Sequence, residues 1–97
     1  MVCKVLYFDP EVRSFKGKDG VELSGYDVSL AREATNGHGW LPCFLKVATN
    51  ATTGNQEIRT RKWVSVKAFG GELLKAGDIV DVDVNEFGSI SAIRKRK

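Results

Sequence analysis

The chain is predicted to fold as an all-β domain, on two observations. Short segments of alternating apolar and polar residues recur at near-regular spacing, and glycine-containing turns separate them. This combination is typical of small β-sandwiches and barrels. Ninety-seven residues, 42% of them apolar, suit a single domain covering residues 1–97. Five to six strands in that length predict a small five-stranded barrel of the OB type with protruding hairpins.

The first half of the chain contains three predicted strands, at residues 2–8, 21–33 and 40–47. Polar, glycine-bounded turns at residues 16–20 and 35–39 separate them. Gly25 falls inside the second strand and predicts a bulge or bend there. In the third strand the odd positions are apolar and are expected to face the core. The even positions carry Trp40, Phe44 and Lys46, which places rings and a cation on the other face. A core position is equally open to Trp40 and Phe44.

The second half begins with a polar loop at residues 49–55, followed by a strand over residues 58–69. Gly70 and Gly71 end this strand, and residues 72–75 are predicted to form a short helical turn. A further strand opens at Gly77 with valines at alternate positions. Residues 85–88 form a tight hairpin, since Gly88 can adopt positive φ, and the last strand covers residues 89–94.

The segment 58–69 is the most informative part of the sequence, because its residues sort by parity. The even positions are mostly apolar, with Lys62 as the exception. The odd positions are Arg59, Arg61, Trp63, Ser65, Lys67 and Phe69. Successive side chains of a strand point to opposite faces, so one face can enter a core while the other displays three cations and two rings. Half-buried positions are also open to Trp63 and Phe69, and Gly70 would let Phe69 turn inward. Cations attract phosphates and rings stack on any base, which indicates a single-stranded nucleic-acid ligand.

The charge distribution agrees with a polyanionic partner that touches part of the surface. Residues 1–57 hold six Lys/Arg and seven Asp/Glu, whereas residues 58–97 hold nine and five, out of a net charge of +3. Cys3 and Cys43 have no metal-binding spacing and lie within apolar alternation, so both are expected to be reduced core residues. Signal-peptide and membrane-spanning patterns are missing, which predicts a cytoplasmic protein without a membrane partner.

Catalysis is not expected from this sequence. The GxSxG, Walker and HExxH motifs are absent, and His38 is the only histidine. Asp81 and Asp83 share a strand face, but an isolated acidic pair is usually a solvated outer surface. No cofactor, metal or small-molecule substrate is therefore predicted.

Four segments resemble parts of known protein families. Phe87-Gly88-Ser89-Ile90, with Arg94 and Arg96 following, resembles the end of the filamentous-phage gene V single-stranded-DNA-binding proteins. The segment 41–46 resembles that family's aromatic-Pro-apolar-apolar-apolar-Lys strand, and residues 15–30 are similar to its DNA-binding hairpin. The stretch from Trp63 to Gly70, with the later Gly77-Asp78, is more similar to bacterial SSB proteins, which share the OB fold and the ligand.

The resemblance implies roles for particular residues. By position it implies DNA contacts for Lys18, Tyr26, Lys46 and Arg94. It also implies that Phe87, at the tip of a hairpin, stacks on DNA bound by the partner subunit of a two-fold dimer. Independently of the resemblance, Tyr26 shares parity with Val28 and Leu30, so a core position is also open to it.

Together these observations predict a sequence-tolerant single-stranded-DNA-binding protein of a phage or mobile element. It would coat DNA during replication and form a homodimer. The predicted nucleic-acid-binding residues are Lys18, Tyr26, Phe44, Lys46, Arg59, Arg61, Trp63, Lys67, Phe87 and Arg94. Two alternatives stay open. The first is an OB-type module that binds RNA through 2′-hydroxyl contacts. The second is a protein-interaction barrel without a nucleic-acid ligand.

Overall fold

A computed structural model describes residues 1–35 and 37–96, and nine β-strands occupy this part of the chain. The strands are β1 Val2–Phe8, β2 Arg13–Lys16, β3 Glu22–Glu33, β4 Trp40–Cys43, β5 Lys46–Thr49, β6 Gln56–Arg59, β7 Lys62–Ser65, β8 Ile79–Val84 and β9 Ile90–Lys95. A 3-10 turn, Val66–Phe69, follows β7. Asn36 in the second predicted turn and Lys97 at the end of the basic tail lie outside the described residues. The prediction of an all-β fold is confirmed.

β3 is the strand around which the main sheet is built. The sheet runs in the order β2-β3-β1-β8-β9, and β4 and β7 also pair with β3. Twelve residues allow β3 to serve four antiparallel neighbours, with its first half against β2 and β7 and its second half against β1 and β4. A separate two-stranded ribbon, β5–β6, stands beside this seven-stranded sheet.

The predicted closed, five-stranded barrel is not confirmed, because the sheets are open. Within the described residues β9 pairs only with β8, so no ladder closes the main sheet, and the ribbon has only its own two strands. The structure has nine strands where six were predicted. Two of the predicted strands are each broken in two. β2 is an additional strand that was not predicted, and it lies just before the predicted turn at residues 16–20.

The core is filled from β1, β3, β7, β8 and β9. Its largest fully buried side chains are Cys3, Val5, Val28, Val80, Val82 and Ile93, each at most 1% exposed, and they alternate along β1 and β8 as strand geometry requires. In β3 the four consecutive residues 28–31 are all buried. Phe69 and Leu74 complete it from the segment after β7. No helix in residues 1–35 or 37–96 combines the length and apolar character needed to cross a bilayer.

The predicted strand 40–47 is broken at Phe44, and its assignment of faces was wrong. Phe44 adopts a positive φ of 55°, a conformation that costs a bulky residue free energy and ends β4 at Cys43. β5 then leaves the main sheet to pair with β6. Leu45 and Val47, expected in the core, are 50% and 62% exposed, because the ribbon they enter does not cover the core.

The predicted strand 58–69 is also divided, so its parity does not run unbroken. β6 belongs to the ribbon and β7 to the main sheet. The 3-10 turn after Ser65 then replaces the period of two by a period near three. Phe69, expected outside with Trp63, is therefore turned into the core and is 2% exposed. The short helical turn predicted at residues 72–75 occurs instead at these preceding residues.

Candidate nucleic-acid interface

A groove of about 820 Å³ lies between the ribbon and the main sheet. This volume is in the upper part of the roughly 300–1,000 Å³ range of ligand sites. Its lining residues are Asp27, Phe44, Leu45, Lys46, Ile58, Arg59, Thr60, Arg61, Lys62 and Trp63. Five of the ten predicted binding residues are thus brought together, from β5, β6, β7 and the two connecting segments. The strand breaks that ended the predicted parity are what shape this groove.

Like charges face each other in the groove. Lys46 and Arg59 are directly opposite across β5 and β6, and both are exposed. Directly opposed like charges destabilise an antiparallel pair, and an isolated two-stranded ribbon is marginal in water. A bound anion between the two side chains would remove this repulsion. Arg61 and Lys62 add two more cations at the point where the chain passes from the ribbon to β7.

The Trp63 ring is held against β3 by three neighbours. Gly25 lies beneath it, and a Cβ there would come within 2.4 Å of the indole ring and 2.5 Å of the Val64 carbonyl oxygen. The indole Nε1–H donates to the carbonyl oxygen of Arg13 at 3.1 Å. The Phe15 ring packs beside it with centroids 4.9 Å apart. Gly25 was predicted to form a bulge or bend, but its absent side chain instead makes room for Trp63. The ring is half-buried and still lines the groove.

Phe44 is fixed in the groove by its unusual backbone. The positive φ turns its ring so that it packs on the edge of the core and lines the groove at the same time. Strained non-glycine residues occur preferentially at functional sites, where the surrounding structure holds them in place. Sequence reasoning placed Phe44 at the interface but gave no sign of this conformation.

Tyr7 and Lys62 are interface residues that the sequence prediction missed. The Arg61 guanidinium carbon lies 4.2 Å from the centroid of the Tyr7 ring, a cation–π contact that orients a cation at the groove wall. Lys62 lines the groove although its even position placed it on the core face. Its charge among apolar neighbours was the signal that could have identified it.

A network of carboxylates surrounds Arg13 beside the groove. Its Nη2 is 3.0 Å from Asp9 Oδ2, and its Nε is 3.0 Å from Oδ2 of Asp27, which lines the groove. The backbone N–H of Glu11 and the Arg13 guanidinium hold the pKa of Asp9 below its ordinary value. Arg13 therefore compensates the one carboxylate that faces the cationic groove.

A smaller cavity of about 250 Å³ continues the site past Trp63. Lys62 and Trp63 line both cavities, and Val64, Ser65, Ser89 and Ile90 complete the smaller one. Ser89 and Ile90 lie beside the turn of the β8–β9 hairpin, whose tip carries Phe87. Lys62 and Trp63 thus stand between the ribbon on one side and this hairpin on the other.

The other predicted residues lie outside the groove. Lys18 is exposed in the β2–β3 turn, and Lys67 is exposed on the 3-10 turn. Tyr26 packs its ring against Phe8 and Phe69, with centroid distances of 5.1 and 5.3 Å, in the core position that its parity allowed.

Arg94 and Phe87 have contrasting surroundings on the β8–β9 hairpin. Arg94 Nη2 lies 2.8 Å from Asp83 Oδ2, so part of its charge is already compensated. Phe87 is 84% exposed at the hairpin tip.

Both cysteines are free thiols, Cys3 in the core and Cys43 half-buried. Burial is the largest cause that raises the pKa of Cys3 to about 12, and burial also raises the pKa of Cys43. Among the residues with described positions, no three His, Cys, Asp or Glu side chains group as a metal site would require.

The chain was compared with known proteins at three levels. It matches no protein-family model, no curated protein and no solved structure.

Proposed function

We propose that this protein binds single-stranded DNA with little sequence preference and coats it during replication of a phage or mobile element. The observation that carries the proposal is the groove that Lys46, Arg59, Arg61 and Lys62 line together with Trp63. Cations along a groove attract a phosphate backbone, and an aromatic face stacks on bases of any identity. The opposed Lys46 and Arg59 supply a further reason for an anionic ligand.

The proposal includes a relationship to OB-type single-strand-binding proteins of the gene V kind. The long β3, which pairs with four strands, supports it because such a strand wraps a sheet around its core. A role without catalysis or cofactor is part of the same proposal.

The proposal also includes a homodimer in which the Phe87 hairpin joins two DNA-binding faces. A phenylalanine that is 84% exposed at a hairpin tip gains from being covered by a base or by a partner subunit. Ser89 and Ile90 of this hairpin line the smaller cavity together with Lys62 and Trp63, so the hairpin lies beside the Trp63 groove, as an interface shared by two subunits requires.

Binding is tested by titrating a labelled oligo-dT with the protein and following fluorescence anisotropy, with a duplex and an RNA oligomer of equal length as competitors. The oligo-dT should bind more tightly than the duplex. Trp63→Ala should weaken binding by about 1–3 kcal/mol, the usual contribution of one base–aromatic stack. Equal affinity for duplex and single strand would refute the proposal. Preference for the RNA oligomer would favour an RNA-binding module instead.

Trp40→Ala is the matched control for this test. Trp40 is half-buried like Trp63, but it begins β4 and does not line the groove. The same deletion there should leave affinity for oligo-dT within about twofold, as expected for a surface change remote from the ligand. If both variants lose affinity equally, the effect comes from the fold and the groove is not the binding site.

A further inference from the structure

One side chain of the groove is out of keeping with phosphate binding. Asp27 is the single carboxylate among the groove-lining residues, where four cations are gathered. An unneeded negative charge there would repel a phosphate backbone. Its place in the sheet assigns it another role. Asp27 on β3 is directly opposite Trp63 on β7, so the two side chains share one face of the sheet. Directly opposed Cβ atoms lie about 4.5–5.5 Å apart.

The Trp63 ring lies over Gly25, two residues before Asp27 on the same face, so a base stacked on the groove side of the ring would have the Asp27 carboxylate as a neighbour. The side chain is partly exposed, at 26%. Arg13 holds it from behind through Oδ2 at 3.0 Å, and Arg13 is itself fixed by Asp9. Oδ2 is thus held in an ion pair, and within the described residues neither carboxylate oxygen of Asp27 accepts a hydrogen bond, so the group can accept one from a ligand. The charge compensation by Arg13 lets the carboxylate remain in a cationic groove without repelling the backbone.

An ionised carboxylate accepts hydrogen bonds and donates none. Among base edges it matches exocyclic amino groups, such as N4 of cytosine. Thymine offers a single N3–H, flanked on both sides by carbonyl oxygens that repel a carboxylate. Stacking on Trp63 does not separate the two pyrimidines, because both present a similar ring face.

We propose that Asp27 forms a base-recognition subsite beside Trp63 that favours bases with an exocyclic amino group over thymine. The inference rests on the proposed single-strand binding and refines it. The groove would still bind any sequence, but with a modest preference for one class of base at the Asp27 position. A hydrogen bond from a base amino group to a carboxylate is expected to give discrimination at the lower end of the range known for base contacts. The affinity for a base with an amino group should then be about fivefold higher than the affinity for thymine.

The test uses two oligomers that differ only at the pyrimidine 4-position and N3: one of 5-methyl-deoxycytidine and one of thymidine. Anisotropy titrations of the full chain give the ratio of the two affinities. Asp27→Asn keeps the shape but offers both a donor and an acceptor, so it can bond either base. The ratio should fall by about fivefold in this variant relative to the unaltered protein. Comparing ratios removes differences in stacking or oligomer stiffness that have nothing to do with Asp27.

Asp9→Asn is the matched control, because Asp9 also bonds Arg13 at 3.0 Å but does not line the groove. Its affinity ratio should equal that of the unaltered protein. If Asp27→Asn does not fold, Arg13→Gln replaces it. That variant frees both carboxylate oxygens, so the ratio should rise while both affinities fall.

An unchanged ratio in Asp27→Asn, or an equal change in Asp9→Asn, would overturn the subsite. If the unaltered protein binds neither oligomer, the failure lies with the proposed function and not with Asp27.

Discussion

Replacing Arg59 by Gln should make the log–log slope of single-strand affinity against salt concentration less steep by about 0.7, the equivalent of one phosphate contact. Arg59 lines the groove, is exposed and stands directly opposite Lys46 in the ribbon. Gln keeps much of the side-chain length and polarity while removing the charge. Stability should not fall, since the substitution also removes the repulsion between two opposed cations.

The size of the effect follows from the number of cations in the groove. Lys46, Arg59, Arg61 and Lys62 line it. With about −0.7 per phosphate neutralised on a single strand, four contacts give a log–log slope of about −2.8. The Arg59→Gln variant should give about −2.1. Between roughly 50 and 200 mM salt, affinity would fall about 50-fold in the unaltered protein and about 20-fold in the variant.

The measurement is a set of anisotropy titrations with oligo-dT at several salt concentrations. Lys75→Gln serves as the control, because Lys75 is exposed and lies outside the groove. It should leave the slope at the value of the unaltered protein. A flat salt response in the unaltered protein would contradict the electrostatic mechanism, and an equal loss of slope in both variants would show that the groove is not where phosphates bind.

Three further predictions concern packing, assembly and titration. Gly25→Ala places a Cβ against the Trp63 ring and the Val64 carbonyl oxygen. The free energy of unfolding, measured in urea, should therefore fall by about 1–3 kcal/mol, and the tryptophan emission should shift. Unchanged stability and emission would exclude the close packing of Gly25 and Trp63. Phe87→Ala should convert a dimer to a 10.7 kDa monomer in light scattering without loss of stability, whereas a monomeric unaltered protein would disprove the interface. Because burial raises the pKa of Cys3 to about 12, the folded state keeps its proton where the unfolded thiol, with a pKa near 9.0, has lost it. The free energy of unfolding should therefore decrease as pH rises through that window. Cys3→Ala should make this decrease smaller and leave the part that comes from Cys43, whose pKa is also raised.

The local pattern of the sequence was sufficient where one strand has one buried face. β1 has the predicted bounds, and the bounds of β3, β8 and β9 differ from the predicted ones by one or two residues. These strands were predictable because period-two alternation and glycine turns are local properties of the sequence. The buried valines of β8 and the exposed hairpin tip at Phe87 follow from the same pattern. Charge parity likewise indicated Arg59, Arg61 and Trp63, and these three line one groove.

Only the tertiary structure decided where the two ambiguous strands break and which partners each half takes. The alternation at residues 40–47 and 58–69 is compatible with two long strands, but β5 and β6 pair with each other while β4 and β7 pair with β3. The choice depends on pairing between residues distant in sequence, which a local period does not encode. For the same reason Phe69 enters the core, and Asp27 comes to lie opposite Trp63. The sequence alone identified cationic and aromatic side chains as candidates for binding. Long-range strand pairing determined which of these side chains line the same groove.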